Sequence, residues 1–258
     1  MTKRQYICII TAILLFGILA LPFPFLNGKQ VHLSLDDFYT AFIDLNKNNY
    51  STIFEQPTFH YLRSIHNTTG AKFTLYTFPK TKNWNLYDIP SQHLNELARA
   101  SWIKIGFHSA TPESTNNDSE ELQKAFINFK EAIPLDLQAQ TLRLHYYHST
   151  QKDAQFLASM GIRTLLSADD NRISYSLPIS ANDSLLALQR IQKDSMAYER
   201  TDIRIEKSFF PIFNVLTHLQ DNKLVIFTHE WALNTWNALM FRVLIYYLAF
   251  YGCTFTAE

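Results

Sequence analysis

The chain reads as an α/β protein, a closed or nearly closed (β/α) barrel of about seven strands preceded by an N-terminal transmembrane or signal segment. Three observations predict this. Short apolar strands alternate with segments of helical spacing, helices hand over to strands through glycine, and several strands stop abruptly on Asp, Arg or His. A chain of 258 residues that is 47% hydrophobic is long enough to bury one sizeable core. Lys+Arg and Asp+Glu balance at 23 each, which argues against nucleic acid as the main partner. The two cysteines, Cys8 and Cys253, lie at opposite ends and form no Cys-x-x-Cys pair, so any metal must be held by His and carboxylate.

Residues 1–27 read as a signal-anchor or signal peptide and residues 28–258 as the barrel domain. Lys3 and Arg4 precede an uncharged apolar run from Tyr6 to Leu21. A helical span takes ~20 apolar residues, which this run nearly reaches, and the leading cations favour an inside N-terminus with the domain exported. Leu21-Pro22 makes Ala20 a poor cleavage site, which favours an uncleaved membrane anchor; cleavage instead would give a secreted domain.

The first strand, Val31 to Leu35, ends on Asp36-Asp37. Adjacent carboxylates are expensive at the end of a buried strand unless a cation or hydrogen bonds receive them, although a lone Asp pair more often caps a helix, here one beginning near Phe38. The spacing predicts a helix over Gln56–His66, closed by Gly70, then the strand Ala71–Phe78. The pattern repeats as helix Leu94–Ala100 and strand Trp102–Phe107 ending on His108, then helix Glu120–Ala132 and strand Thr141–His145. A helix over Lys152–Met160 stops at Gly161, and a strand from Arg163 to Ser167 runs into Asp169-Asp170. A hairpin-like insertion is expected at Arg172–Ile179, a strand at Thr201–Ile205 and a helix at Phe209–Leu219. Lys223–Thr228 is a strand ending on His229, followed by a helix over Asn234–Phe250 and a short strand at Cys253–Thr256. The apolar run Leu239–Phe250 contains Arg242 and is short, so it reads as a packed barrel helix rather than a second span. In such a barrel the strand ends share one mouth, which would bring Asp36, Asp37, His108, Arg143, His145, Asp169, Asp170 and His229 together.

These strand ends resemble the polysaccharide deacetylases with the NodB-homology domain, whose fold is a distorted (β/α) barrel. Ser34-Leu35-Asp36-Asp37 is similar to that family's Thr-Phe-Asp-Asp, and His108-Ser109 to the opening of its His-Ser/Thr-x-x-His. Arg143-Leu144-His145-Tyr146 resembles Arg-x-Pro-Tyr, and Phe227-Thr228-His229 resembles Leu-x-His. The likeness spans about residues 31 to 256. Two positions depart from it: Pro112 stands where the second motif histidine belongs, and His145 where the family has proline. Strand alternation puts Arg143 and His145 on one face, so His145 is placed to replace the lost ligand, with Glu113 and His148 as rivals.

The resemblance implies a hydrolase that removes acetyl groups from N-acetylated sugars of a glycan, using a divalent metal, zinc for preference, on Asp37, His108 and His145. It implies Asp36 as base oriented by Arg143, His229 as acid tuned by Asp169, and the backbone N–H of Tyr146 as oxyanion donor. Trp231 and Tyr146 are candidates to line the sugar site, although a tryptophan packs as readily as it binds sugar. Two other readings stay open: a deacetylase-like barrel that binds glycan or scaffolds without catalysis, and a metal-dependent hydrolase of another amide or ester.

Overall fold

The computed structural model describes residues 23–257, so most of the expected anchor lies outside the described residues. Among the described residues no helix is long and apolar enough to cross a membrane.

Seven strand positions form a ring of parallel strands. β1 (Gln30–Asp36) is flanked by β2 (Phe73–Thr77) and, on its other edge, by β11 (Lys223–His229). A small hairpin, β3 (Lys80–Thr81) and β4 (Trp84–Asn85), follows β2, and β5 (Ile103–Phe107) pairs with β2. A single parallel bridge from Ile105 to Gln138 leads on to β6 (Thr141–Leu142), which pairs with β7 (Thr164–Leu166). An antiparallel hairpin of β8 (Arg190–Lys193) and β9 (Met196–Glu199) comes next, with β9 parallel to β7. The same passage of chain continues as β10 (Ile203–Arg204), which pairs with β11. One stretch of chain therefore closes the ring, and Arg200, Thr201 and Asp202 stand where it changes partners. β12 (Thr254–Thr256) covers the start of β1, pairing from Gln30 to His32.

The helices are α1 (Thr40–Lys47), α2 (Pro57–Thr69), α3 (Ser91–Ala100), α4 (Ser119–Ala132), α5 (Gln151–Ser159), α6 (Ile179–Leu188), α7 (Pro211–Leu216) and α8 (Thr235–Phe250). Their limits follow local chemistry. Gln56 caps α2 ahead of Pro57, and Gly70 ends it at φ +70°, a conformation that costs glycine little. Asp118 caps α4, and Thr150 with Asp153 forms a capping box on α5.

On β1, Val31, Leu33 and Leu35 are fully buried in the hydrophobic core, and so are the alternating His32 and Ser34. Burial on both faces is what a parallel barrel strand requires. The barrel interior is thus polar along β1, and the fully buried Arg143 fills it.

Two expected elements differ. No hairpin forms at Arg172–Ile179; Tyr175 and Ser176 take positive φ, and the buried Tyr175 hydroxyl donates to the Leu166 carbonyl while accepting the Leu144 N–H. That segment is a loop pinned by one tyrosine, and the hairpin lies further on, at β8 and β9. The strand expected over Thr141–His145 stops at Leu142, and His145–Tyr147 form a 3-10 turn kinked at Tyr146, which like Tyr147 takes a positive φ that a strand does not accommodate.

Candidate metal centre and active site

β1 and β11 run in register with Asp36 opposite His229, so the two strand ends arrive level at the mouth. Arg143 reaches Asp36 from below: its Nη1 donates to Asp36 Oδ1 at 2.9 Å and to Ser34 Oγ at 2.7 Å, and its Nη2 donates to Thr201 Oγ1 at 3.1 Å. The guanidinium also lies 4.1 Å from the Phe227 ring centre. A buried ion pair is tolerable only when such bonds replace lost hydration, and the fork holds Asp36 in one orientation.

The next residue turns the other way. Asp37 has φ +53°, a conformation that non-glycine residues seldom take and that marks functional sites when tertiary contacts enforce it. It brings Oδ1 to 3.4 Å from His108 Nε2 and 3.8 Å from His145 Nε2. Each imidazole is oriented through its other nitrogen. His108 Nδ1 meets the Arg143 carbonyl, and His145 Nδ1 lies 3.2 Å from the Ser114 carbonyl. A carbonyl only accepts, so both Nδ1 atoms carry hydrogen, and each Nε2 is turned toward Asp37, where it offers a lone pair once unprotonated. The Ser114 carbonyl comes from the loop that has Pro112 in place of a histidine. Asn116 ties that loop across, accepting from Ser109 Oγ and donating to the His145 carbonyl.

Three acceptor atoms therefore converge, and the buried Asp37 Oδ1 has no hydrogen-bond partner. This donor set fits a divalent ion: two neutral imidazoles and one carboxylate, each imidazole backed by a carbonyl. Glu113 and His148 do not belong to this group. Burial pushes the Asp37 carboxyl up, but His108, the Trp231 hydrogen bond and the His229 charge outweigh it and hold the group well below the usual range. Burial likewise pulls His108 down, yet Asp37 and Asp36 leave it above its ordinary value; a proton on Nε2 relieves the same crowding of lone pairs. His145 is lowered, by burial first and by the neighbouring His108 second.

Across the mouth, His229 Nε2 faces Asp37 Oδ2 at 4.0 Å. The carboxylate on its Nδ1 is Glu206, not the expected Asp169. Asp169 instead pairs with Lys207 at 2.8 Å, because β7 ends on the far side of the ring-closing passage from β11. Glu206 also receives Arg204 Nε at 2.7 Å and Thr228 Oγ1 at 2.9 Å. Burial would raise its carboxyl, but the hydrogen bond and charge of His229 pull it down to about 2. Sequence reading missed Glu206; the signal was there, since β10 too runs into an acidic residue.

Trp231 donates from Nε1 to Asp37 Oδ2 at 2.9 Å, and its exposed indole stacks on the His229 ring at 4.8 Å. Tyr146 is exposed, its ring 4.1 Å from that of His145, and the bonds of its neighbours leave its backbone N–H unclaimed among the described residues. Glu230 was also missed. Its carboxylate accepts the backbone N–H groups of Tyr39, Thr40 and Ala41 at 2.7–2.8 Å, capping α1 from the end of the neighbouring strand β11. It thereby ties the loop carrying Asp37 to the turn carrying His229 and Trp231.

No family model and no curated relative matches the sequence. Solved structures do. A family 4 carbohydrate esterase from Streptomyces lividans, solved with acetate, superposes with a TM-score of 0.51 at 13% identity, over 87% of this chain and 90% of that one. The chain has the fold of these esterases. The polysaccharide deacetylase of Bacillus cereus is also similar, with a TM-score of 0.41, 13% identity and coverage of 89% and 92%. So is the 4-alpha-glucanotransferase of Thermococcus litoralis, with a TM-score of 0.57 and 13% identity, over 89% of this chain and 37% of that one. The esterase fold thus also underlies a glycosyl-transferring enzyme, and the side chains at the mouth must decide the chemistry.

Proposed function

We propose that the chain is a metal-dependent hydrolase that removes acetyl groups from N-acetylated sugars of a polysaccharide or other glycan. The observation that carries this reading is the convergence of Asp37 Oδ1, His108 Nε2 and His145 Nε2 around a buried carboxylate oxygen that has no hydrogen-bond partner. A divalent ion bound there, zinc on this donor set, supplies a Lewis acid to an amide carbonyl and to water. Asp36, fixed by Arg143, accepts the proton of the attacking water at its carboxylate. The Tyr146 N–H donates to the oxygen on which negative charge develops. His229, its Nδ1 held by Glu206, serves as the acid that protonates the departing amine from Nε2. Trp231 offers an exposed ring for a sugar face beside that acid.

The test is zinc content together with acetate release from a panel of N-acetylated sugars. Wild-type protein is expected to hold one zinc per chain and release acetate; Asp36→Asn should keep the zinc and lose turnover. Protein that holds no stoichiometric metal and releases no acetate would sink the reading. Pro112, in place of the second motif histidine, favours a second one, a glycan-binding barrel without catalysis. Under it, sugar binding survives both Asp36→Asn and Asp37→Ala. Acetate release from O-acetyl sugars alone would shift the substrate to an ester.

A further inference from the structure

α8 is unlike the other helices in being apolar nearly all round, a composition expected of a helix with partners on every side. Its inner face is satisfied: Phe241, Leu244, Ile245 and Leu248 are buried in the core. Its single charge, Arg242, turns to α2, where Nη2 donates to Ser64 Oγ at 3.0 Å and the guanidinium lies over Tyr61. The outer face carries Trp236, Leu239, Val243, Tyr246 and Phe250, spaced by three and four residues, all exposed. Phe250 is 79% exposed.

At the start of α8 this stripe widens. Phe209 stacks on Trp236 at 4.7 Å, Phe210 meets both rings, and Phe213 continues the patch onto α7. All three phenylalanines are exposed. From Ser208 to Gln220 the sequence has no Lys, Arg, Asp or Glu, and from Trp231 to Ala257 it has only Arg242. A continuous exposed aromatic face of this kind marks an interaction surface.

What covers it follows from where the preceding chain arrives. The uncharged run Tyr6–Leu21 leads directly into the turn at Phe23–Leu26. That turn is fastened to the far end of α8: Gly28 N–H donates to the Gly252 carbonyl at 2.9 Å, and Cys253 Sγ donates to the Leu26 carbonyl at 3.3 Å. A bilayer entered by that run therefore meets the protein at the Phe250 end of the stripe. We propose that the aromatic face of α7 and α8 is a lipid-docking surface, lying on the bilayer that the N-terminal segment enters. Trp, Tyr and Phe on an uncharged face are the side chains that settle at the level of lipid headgroups. The mouth, which Trp231 borders, lies just ahead of the same helix, so docking keeps it beside the membrane and selects glycans carried there.

The full chain, reconstituted in phosphatidylcholine vesicles with or without bromine on the upper acyl chain, tests this through tryptophan quenching. The N-terminal run contains no tryptophan, and Trp84 and Trp102 are buried, so only Trp231 and Trp236 can report contact. In Trp231→Phe, brominated lipid is expected to quench the exposed emission, and the quenching should vanish in Trp231→Phe/Trp236→Phe. Equal emission in the two lipids would overturn the proposal. A Val243→Cys variant supplies a second arm. A disulfide from the introduced thiol to Cys8 of the same chain would show the face covered by its own N-terminal run. A disulfide joining the introduced thiols of two chains would show a second copy on it. Either result overturns lipid docking.

Discussion

At Asp202, His218 and Asp221 the ligand-type side chains close around Arg200, whose guanidinium reaches Asp202 at 2.9 Å and Asp221 at 2.5 Å. At Asp37, His108 and His145 the spacing is similar, yet every ion contact of Asp37 is with a histidine. The same residue types thus make two different things. In the first group a protein cation already balances the carboxylates, and Asp202 is further satisfied by the Val225 N–H at 2.8 Å. In the second, backbone carbonyls consume the Nδ1 hydrogens and leave three acceptors facing one another. A cluster of ligands becomes a metal site through what its surroundings leave unbalanced, not through its composition.

Breaking the first group should have the largest effect. Arg200→Met strands the buried Asp202 and is expected to cost about 3–5 kcal/mol in urea unfolding. Added zinc should recover part of that loss, and zinc titration of the variant should reveal a second equivalent; an unchanged single equivalent would mean that geometry, not charge, separates the two groups.

In the second group, Asp37→Ala removes the only carboxylate and should weaken zinc binding by more than about 100-fold in a competition titration with a chelator. Arg200→Met should leave that first affinity unchanged.

The acid side is separated from both by pH. Glu206 falls from an ordinary 4.5 to about 2, so its contribution is complete above 4.5 and is lost as pH falls toward 2. Acid unfolding of the wild type should steepen across that window by up to about 3 kcal/mol, and Glu206→Gln should flatten it.

His108 has the opposite sign. Its folded value is raised, so in metal-free protein its contribution is complete below 6.5 and is lost as pH rises through the folded value. Zinc takes the place of that proton, so calorimetry should find the loss in metal-free protein and not in zinc-loaded protein. The smallest effect is expected from Glu230→Gln, which weakens the cap on α1 and should cost about 1 kcal/mol in urea unfolding.

Much of the framework was legible in the sequence because it rests on local rules. Apolar runs marked β1, β2, β5 and β11; Gly70 and Gly161 bounded two of the helices; and strand ends flagged Asp36, Asp37, His108 and His229. His145 was legible for a reason the structure changes: it reaches Asp37 from a 3-10 turn, not from a strand face shared with Arg143. The hairpin of β8 and β9 was not legible, since Arg190–Lys193 is largely exposed and offers no apolar alternation.

The sequence by itself determined the periodicities, the breakers and the polar residues at strand ends, because each depends on neighbours a few positions away. Only the tertiary structure decided which carboxylate serves which histidine. Glu206 reaches His229 and Arg200 reaches Asp221 because one passage of chain leaves β7 to join β11, closing the ring. That closure is selected by the packing of the whole barrel, so the pairings it creates carry no local signature.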